Sequence, residues 1–242
     1  MIPRKIFQTW ETKPLSDEFM TLPQSWINHN PTYEHVLFDK KDREEFIKQN
    51  FDASVFNAYC RIIPGAFKAD LWRYCVLYIH GGVYADIDTI CRCSIDTILK
   101  DYEFMTVVDI TNRVGYNLLN AFIATIPKHP IMLNCIHRIV YNVEHNKDIK
   151  NKLGFSGPGV LGKATNTFLG LPETSSFVNK EGVHGTLKLL KFGANGNIGD
   201  GTILFQNKNG NPRIKKIYTN EASKVKEYIS YSRCKNPILE KK

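Results

Sequence analysis

The sequence predicts an α/β fold, a single domain with a mixed, mainly parallel central sheet flanked by helices. Three observations predict it. Helical periodicities alternate with short apolar runs of strand length along the chain. A strongly periodic helix over 66–80 is closed by Gly81-Gly82 and followed at once by a short strand. The chain has 242 residues, 43% of them hydrophobic, enough to bury one sizeable core and too apolar for disorder.

In chain order, Ile2–Trp10 reads as a first strand that runs into the turn-prone stretch Glu11–Pro14. Trp26 and Asn30-Pro31 precede a second strand at Tyr33–Phe38. Lys40–Asn50 has helical composition with Phe46 and Ile47 inward, and Ser54–Ile62 is a second helix stopped by Pro64-Gly65. From Ala66 to His80, Phe67, Leu71, Tyr74/Cys75 and Tyr78/Ile79 recur three and four apart, a core-facing stripe. Val83–Ile87 and Phe104–Ile110 are expected strands, and Ile131–Val143 a helix with Met132, Ile136, Ile139/Val140 and Val143 on one side. The loop Gly154–Gly162 opens another helix, and Ile203–Gln206 with Ile214–Tyr218 suggests a hairpin around Asn209-Gly210. No internal repeat or linker divides the chain.

Net charge is +8, but residues 201–242 hold ten Lys/Arg against three Glu, leaving residues 1–200 nearly neutral. The body therefore lacks a nucleic-acid footprint. The basic end, with Lys224, Lys226, Lys235, Lys241 and Lys242, suits either solvation or peripheral contact with an anionic membrane. The longest apolar run, Tyr74–Ile79, is far short of a spanning segment of roughly 18 residues. No apolar stretch follows the basic residues of MIPRKIFQTW, so a cytoplasmic protein, or one on the cytosolic face of a membrane, is expected. The six cysteines include no CxxC pair and read as reduced thiols.

The most informative stretch is KADLWRYCVLYIHGGVYADIDT, residues 68–89. On a strand, Tyr84, Asp86 and Asp88 would share one face, and two close carboxylates repel unless a cation or donors intervene. At the end of a strand in an open α/β sheet, where ligands bind, such a pair suits a hard cation, Mn²⁺ or Mg²⁺. With two carboxylates only, the cation would take its other oxygens from a diphosphate and water. Asp70 and Arg73, three apart on the preceding helix, share a face. Arg73 offers a planar donor to a phosphate or sugar oxygen, and Asp70 an acceptor for hydroxyls. Cation site, anion binder and hydroxyl acceptor together meet the needs of a nucleotide-sugar site. The blander readings are solvated turn aspartates and a surface Asp–Arg pair.

KADLWRY at 68–74, GGVYADID at 81–88 and IPRKIFQTW at 2–10 resemble the glycosyltransferase family 32 type. That family of DXD-containing sugar transferases includes the yeast initiating α-1,6-mannosyltransferase and bacterial capsule enzymes. The same spacing resembles the glucosylating clostridial toxins. The resemblance is strong over about 2–90 and weaker beyond. It implies a GT-A type nucleotide-sugar transferase fold, with about 1–110 binding the nucleotide sugar and about 111–242 the acceptor. It implies a metal held directly by Asp88, with Asp86 reaching ribose and metal. Arg73 and Asp70 would hold the sugar, Tyr84 the donor, and Gln8, Thr9 and Trp10 would line the nucleotide pocket. Asn120 matches a position near the donor sugar, and Ser156-Gly157-Pro158 a loop near the active site. Trp10 as a core residue and Asn120 as a helix cap are the plainer alternatives. The chain departs from the pattern in having no Trp after Trp72; Ser232 is a poor substitute for the closing element, and His184 in EGVHG is the candidate one.

The expected reaction moves a hexose, with retention, from a UDP-sugar or GDP-mannose (UDP slightly favoured) to a hydroxyl on a glycan, lipid or protein. Asp109 is a weak candidate nucleophile, and front-face displacement fits better. The rival readings are a nucleotidyltransferase or phosphohydrolase using the same Asp pair, a non-catalytic carbohydrate-binding relative, and a nucleic-acid binder.

Overall fold

The computed structural model describes residues 1–109, 114–191, 193, 197–198, 204–225 and 238–240. The first elements are β1 (Lys5–Thr9), α1 (Asp17–His29), β2 (Glu34–Phe38), α2 (Lys40–Asn50), α3 (Ala53–Arg61), α4 (Gly65–His80) and β3 (Gly82–Ala85). They are followed by β4 (Thr89–Cys91), α5 (Asp96–Leu99), β5 (Phe104–Val108), β6 (Leu118–Thr125), α6 (Pro130–Glu144), α7 (Lys152–Phe155) and α8 (Pro158–Phe168). Last come β7 (Gly182–His184), β8 (Leu187–Leu190), β9 (Asn197–Ile198), β10 (Phe205–Asn207) and α9 (Pro212–Ser223).

Seven strands form the main sheet in the order β2-β1-β3-β6-β5-β8-β7. β1 pairs in parallel with β2 and β3, and β5 with β8; β6 and β7 run against the rest. The sheet is thus mixed with most strands parallel, as expected. Alternation along the strands sends residues to two faces. Phe7 and Tyr84 pack with Phe67, Leu71, Cys75 and Ile136 on the α4/α6 side. Ile6, Val83 and Ala85 pack with Trp26, Phe122 and Phe205 on the other.

Local chemistry sets the boundaries near the site. Asp39 starts α2 in a capping box with Asp42, and the Asp52 carboxylate accepts from Ser54 and Val55 amides to start α3. α4 is buried on most sides, since Trp72, Val76 and Leu77 are covered as well as the expected stripe. It ends at Gly81, whose φ of 62° favours glycine. A Cβ there would lie 2.6 Å from the Pro127 nitrogen, and one at Gly82 would lie 2.8 Å from the Lys5 carbonyl. The Gly-Gly pair is therefore what lets α4 turn directly into β3 beside β1.

Three expectations are corrected. The strand expected over Val83–Ile87 stops at Ala85, so Asp86-Ile87-Asp88 is a turn into β4 rather than one strand face. The Asp86 amide donates to the Ala121 carbonyl, and its own carbonyl accepts from Thr89 Oγ1 and Gln8 Nε2, which draws the chain off the sheet. The late hairpin is not formed, because Ile214–Tyr218 lies in α9; Asn211 caps that helix and Pro212 takes its first turn. β10 pairs instead with β4 and β9. The stretch 154–162 is mostly helical, broken only at Ser156-Gly157. Elements not expected from the sequence include α1, β4, β6, β7 and β8. No helix among the described residues is long and apolar enough to cross a membrane.

Candidate active site

β1 and β3 are parallel neighbours, with Phe7 level with Tyr84, so both chains leave the sheet on the same side. There a cavity of about 340 Å³ opens. Thr9, Trp10 and Glu11 form its wall from the exit of β1, and Gly65, Ala66, Ala69 and Arg73 its wall from α4. Tyr84, Asp86, Ile87 and Asp88 come from the exit of β3, and Lys208, Asn209 and Tyr218 from β10's exit and α9.

Beneath this cavity lies a buried ionic cluster. Asp70 has no exposed surface and Arg73 is 4% exposed, so the surface-pair reading is excluded. Arg73 Nη2 lies 3.1 Å from Asp70 Oδ1, and Nη1 lies 3.3 Å from Asp86 Oδ1 and donates to the Asn120 carbonyl at 2.6 Å. The guanidinium carbon sits 4.4 Å above the Tyr84 ring, whose hydroxyl donates to Asp86 Oδ1 at 2.7 Å. Asp70 also accepts from Asn120 Nδ2 at 2.8 Å and Ser156 Oγ at 2.6 Å.

These contacts set the charge states. Burial raises the Asp70 carboxyl to about 6, against the opposing pull of Arg73, Ser156 and Asn120. Burial raises the Asp86 carboxyl, as does the charge of Asp88, while Arg73, Tyr84 and Lys208 hold it down. Burial lowers the Arg73 guanidinium, but Tyr84, Asp86 and Asp70 outweigh that and keep it firmly protonated. Arg73 is thus a fixed cation between two carboxylates.

The Asp86–Asp88 turn is pinned from behind. Thr89 Oγ1 donates to the Asp86 carbonyl at 2.5 Å and accepts from Trp26 Nε1 at 3.0 Å. β10 pairs with β4 so that Asn207 faces Thr89, which brings the next residue, Lys208, beside Asp88. Lys208 Nζ bonds Asp88 Oδ2 and lies 3.9 Å from the Tyr218 ring centroid. The wall from β1 is held by Arg43, whose Nη1 donates to Thr9 Oγ1 and the Trp10 carbonyl and Nη2 to Glu11 Oε1.

The structure gathers Thr9, Trp10, Arg73, Tyr84, Asp86 and Asp88 at the cavity, with Asp70 and Asn120 directly under it. Trp10 is both cavity wall and core, 3% exposed against Phe19 and Tyr218. Asn120 lies on β6 and caps no helix. Gln8 does not line the cavity. It is fully buried, bonding the Asp86 carbonyl and the His35 ring, which burial keeps neutral with a value near 4. Ser156 reaches the cluster through Asp70, as the loop resemblance implies. His184 sits on edge strand β7, its ring against the Lys180 carbonyl, and neither it nor Asp109 lines the cavity. Ser232 and Cys234 lie outside the described residues, as do Lys226, Lys235, Lys241 and Lys242. The sequence reading missed Glu11, Arg43, Lys208 and Tyr218.

Residues 16–105, which include the Asp86-Ile87-Asp88 turn, match the family described as the glycosyltransferase sugar-binding region containing a DXD motif. Over this segment the chain is similar to the DXD sugar transferases. Similar proteins include inositol phosphoceramide mannosyltransferase 2 of Schizosaccharomyces pombe, 33% identical over 60% of this chain and 39% of its own length. The initiation-specific alpha-1,6-mannosyltransferase of Candida albicans is 33% identical over 47% of this chain and 30% of its own length. An uncharacterized glycosyltransferase of Acanthamoeba polyphaga mimivirus is 32% identical over 54% of this chain and 53% of its own. The chain thus spans about half or less of these curated relatives. The solved PaToxG glycosyltransferase shares the fold with a TM-score of 0.55 over 69% of each chain at 20% identity. The GT-A type architecture expected from the sequence is the one observed.

The DXD donor set suits a divalent cation in one respect. Asp86 and Asp88 offer hard oxygens at the cavity wall, but no cluster of three or more His, Cys, Asp or Glu placed to hold a metal occurs among the described residues. The residues fit a cation that brings further oxygen ligands with it, as a diphosphate does.

Proposed function

We propose that this protein is a hexosyltransferase that uses a nucleotide diphosphate sugar and a hydroxyl acceptor, with Asp86 and Asp88 holding Mn²⁺ or Mg²⁺. The observation that carries the reading is the continuity of the buried Asp70–Arg73 pair, through the partly exposed Asp86, with a cavity walled by Trp10 and Asp88. Trp10 presents an aromatic wall to the nucleoside and Arg73 a fixed cation near the diphosphate, while Asp70 and Asn120, buried beneath the wall, act on the donor by holding Arg73 in place. When bound, the metal would neutralise charge on the departing diphosphate. The bond from the anomeric carbon to the diphosphate oxygen breaks, one to the acceptor oxygen forms, and the acceptor proton passes to the leaving phosphate. Asp109 stands away from the cavity wall, which favours retention by front-face displacement over a protein nucleophile. The mannosyltransferase names among the relatives make GDP-mannose a donor to assay beside UDP-sugars. The acceptor is a glycan, lipid or protein hydroxyl, and the basic composition of residues 201–242 suits peripheral membrane contact.

The test is thermal stability with UDP or GDP, each with and without Mn²⁺, followed by release of that nucleotide from its sugar. Saturation at about 100 times the dissociation constant stabilises by about 2.7 kcal/mol, roughly 5–10 °C for a domain of this size. Asp88→Asn should abolish the metal-dependent shift and reduce transfer by at least about 100-fold while the unliganded melting temperature holds. Transfer retained by this variant removes the metal role. Release of pyrophosphate in place of UDP or GDP would instead identify a nucleotidyltransferase.

A further inference from the structure

Lys208 stands where an incoming cation would approach Asp88. Its ammonium bonds Asp88 Oδ2, and its side chain remains about one-third exposed at the cavity wall. Three features place it there by construction. The β4–β10 register sets Asn207 opposite Thr89. Asn207 Oδ1 accepts from the amides of Asn209 and Gly210, fixing the turn around Lys208. The Tyr218 ring, 3.9 Å from Nζ, gives the ammonium a second favourable face on the cavity side.

The charges near the cavity give this placement a consequence. Among the described residues, the cations in ion pairs with Asp70, Asp86 and Asp88 are Arg73 and Lys208. Arg73 is buried, shared between two carboxylates and tied to the Asn120 carbonyl, so it cannot leave. Lys208 is on a flexible stem at the surface of the same cluster, and a strongly hydrated point charge can move by side-chain rotation alone. A divalent ion added to Asp88 while Lys208 stays would meet a like charge. A diphosphate arriving with the ion supplies the anion that lets the ammonium move.

We propose that Lys208 is an exchangeable counter-ion of the DXD pair, which neutralises Asp88 in the empty site and shifts onto the diphosphate when metal and nucleotide enter. The inference rests on the nucleotide-sugar reading above and goes beyond it, since it makes metal and nucleotide binding mutually dependent. Lys208 is on this view a binding residue for the diphosphate and a competitor for the metal. Nothing in the motif itself requires a lysine 120 positions away.

The experiment titrates Mn²⁺ alone, followed by its paramagnetic resonance signal, into the wild-type chain and into Lys208→Met. UDP and GDP are then titrated by calorimetry at saturating Mn²⁺, with Lys208→Arg as the charge-preserving control. Removing the competing ammonium should tighten Mn²⁺ binding about threefold to tenfold. Removing its bond to the diphosphate should weaken nucleotide binding about tenfold or more, and Lys208→Arg should recover most of that loss. Equal or weaker Mn²⁺ binding by Lys208→Met overturns the proposal, as does a free-Mn²⁺ signal that neither protein diminishes. Failure of the nucleotide-sugar reading looks different, because the wild type then binds neither nucleotide with Mn²⁺. Failure of the exchange alone leaves a wild type that binds one nucleotide and a Lys208→Met variant that binds it equally well. Unchanged melting temperatures separate either result from a folding defect.

Discussion

Replacing Asp70 by asparagine tests the buried cluster through its dependence on pH. Asp70 is fully buried, and its carboxyl is raised from the ordinary 3.8 to about 6, chiefly by burial. A carboxyl whose folded value exceeds its unfolded one favours the folded state while it is protonated. That contribution is complete below about pH 4 and is lost as pH rises to about 6, beyond which a constant penalty remains. Each unit of separation is worth about 1.36 kcal/mol, so the difference across the window is about 3 kcal/mol. In a domain of this size that corresponds to roughly 6–12 °C in melting temperature.

The asparagine side chain of Asp70→Asn keeps the shape but cannot titrate. It also turns an amide toward donors that now bond the carboxylate, namely Asn120 Nδ2, Ser156 Oγ and Arg73. That mismatch costs about 1–3 kcal/mol at every pH. The informative quantity is therefore the melting temperature of the wild type minus that of Asp70→Asn, followed from pH 7.5 to pH 4. The carboxyls held low by their partners, Asp42, Asp52, Glu173 and Glu221, lose stability as pH falls, but they do so in both proteins and cancel. The wild type should gain on the variant by roughly 6–12 °C as pH falls from about 6 to 4. A difference flat to within about 1 °C, or one of opposite sign, would refute the reasoning. It would mean that Arg73, Ser156 and Asn120 fully offset the burial of Asp70.

Two further substitutions test the frame around the site. Arg43→Lys keeps the charge but loses the fork that reaches Thr9 Oγ1, the Trp10 carbonyl and Glu11 at once. It should destabilise by about 2–4 kcal/mol and weaken nucleotide binding, read by thermal melts and calorimetry; an unchanged melt argues against a structural role for the fork. Gly162→Ala should gain up to about 1 kcal/mol from helix propensity. A Cβ there would instead lie 1.8 Å from the Tyr116 carbonyl oxygen, so α8 and residue 116 must part. The net loss should be about 2–4 kcal/mol, seen as a lower denaturation midpoint with the same slope; a gain in stability would show that the contact relaxes freely.

What could be read in advance divides according to distance along the chain. α4 and the Gly81-Gly82 turn were legible because periodicity, a helix stop and a strand follow within about 20 residues. Asp70, Arg73, Tyr84, Asp86 and Asp88 were legible as one group for the same reason: a single passage from α4 through β3 carries all of them. The geometry within that group was less legible. Alternation placed Asp86 and Asp88 on one strand face, whereas the structure puts them in a turn because Ala121, Thr89 and Gln8 take up the backbone groups of Asp86. β6 supplies Ala121 and Asn120, yet the run LLNAFIAT has no clean two-residue alternation, being buried along nearly its whole length by cover on both faces. Gln8 shows the limit from the other side. Its motif implied a nucleotide contact, but its position in β1 turns its amide to the Asp86 carbonyl and the His35 ring, so it acts on the site by holding the turn. Lys208 was invisible in the sequence because its role depends on the β4–β10 register, a pairing made across more than a hundred residues. An asparagine-capped Pro212 helix start was nevertheless present three residues after Asn209, and it was stronger evidence than Asn209-Gly210 was for a hairpin. The segment after β10 is thus a turn that returns a helix to the cavity rather than a second strand leaving it. The aromatic ring of Tyr218 and the ammonium of Lys208 then meet beside Asp88 as a consequence of that return.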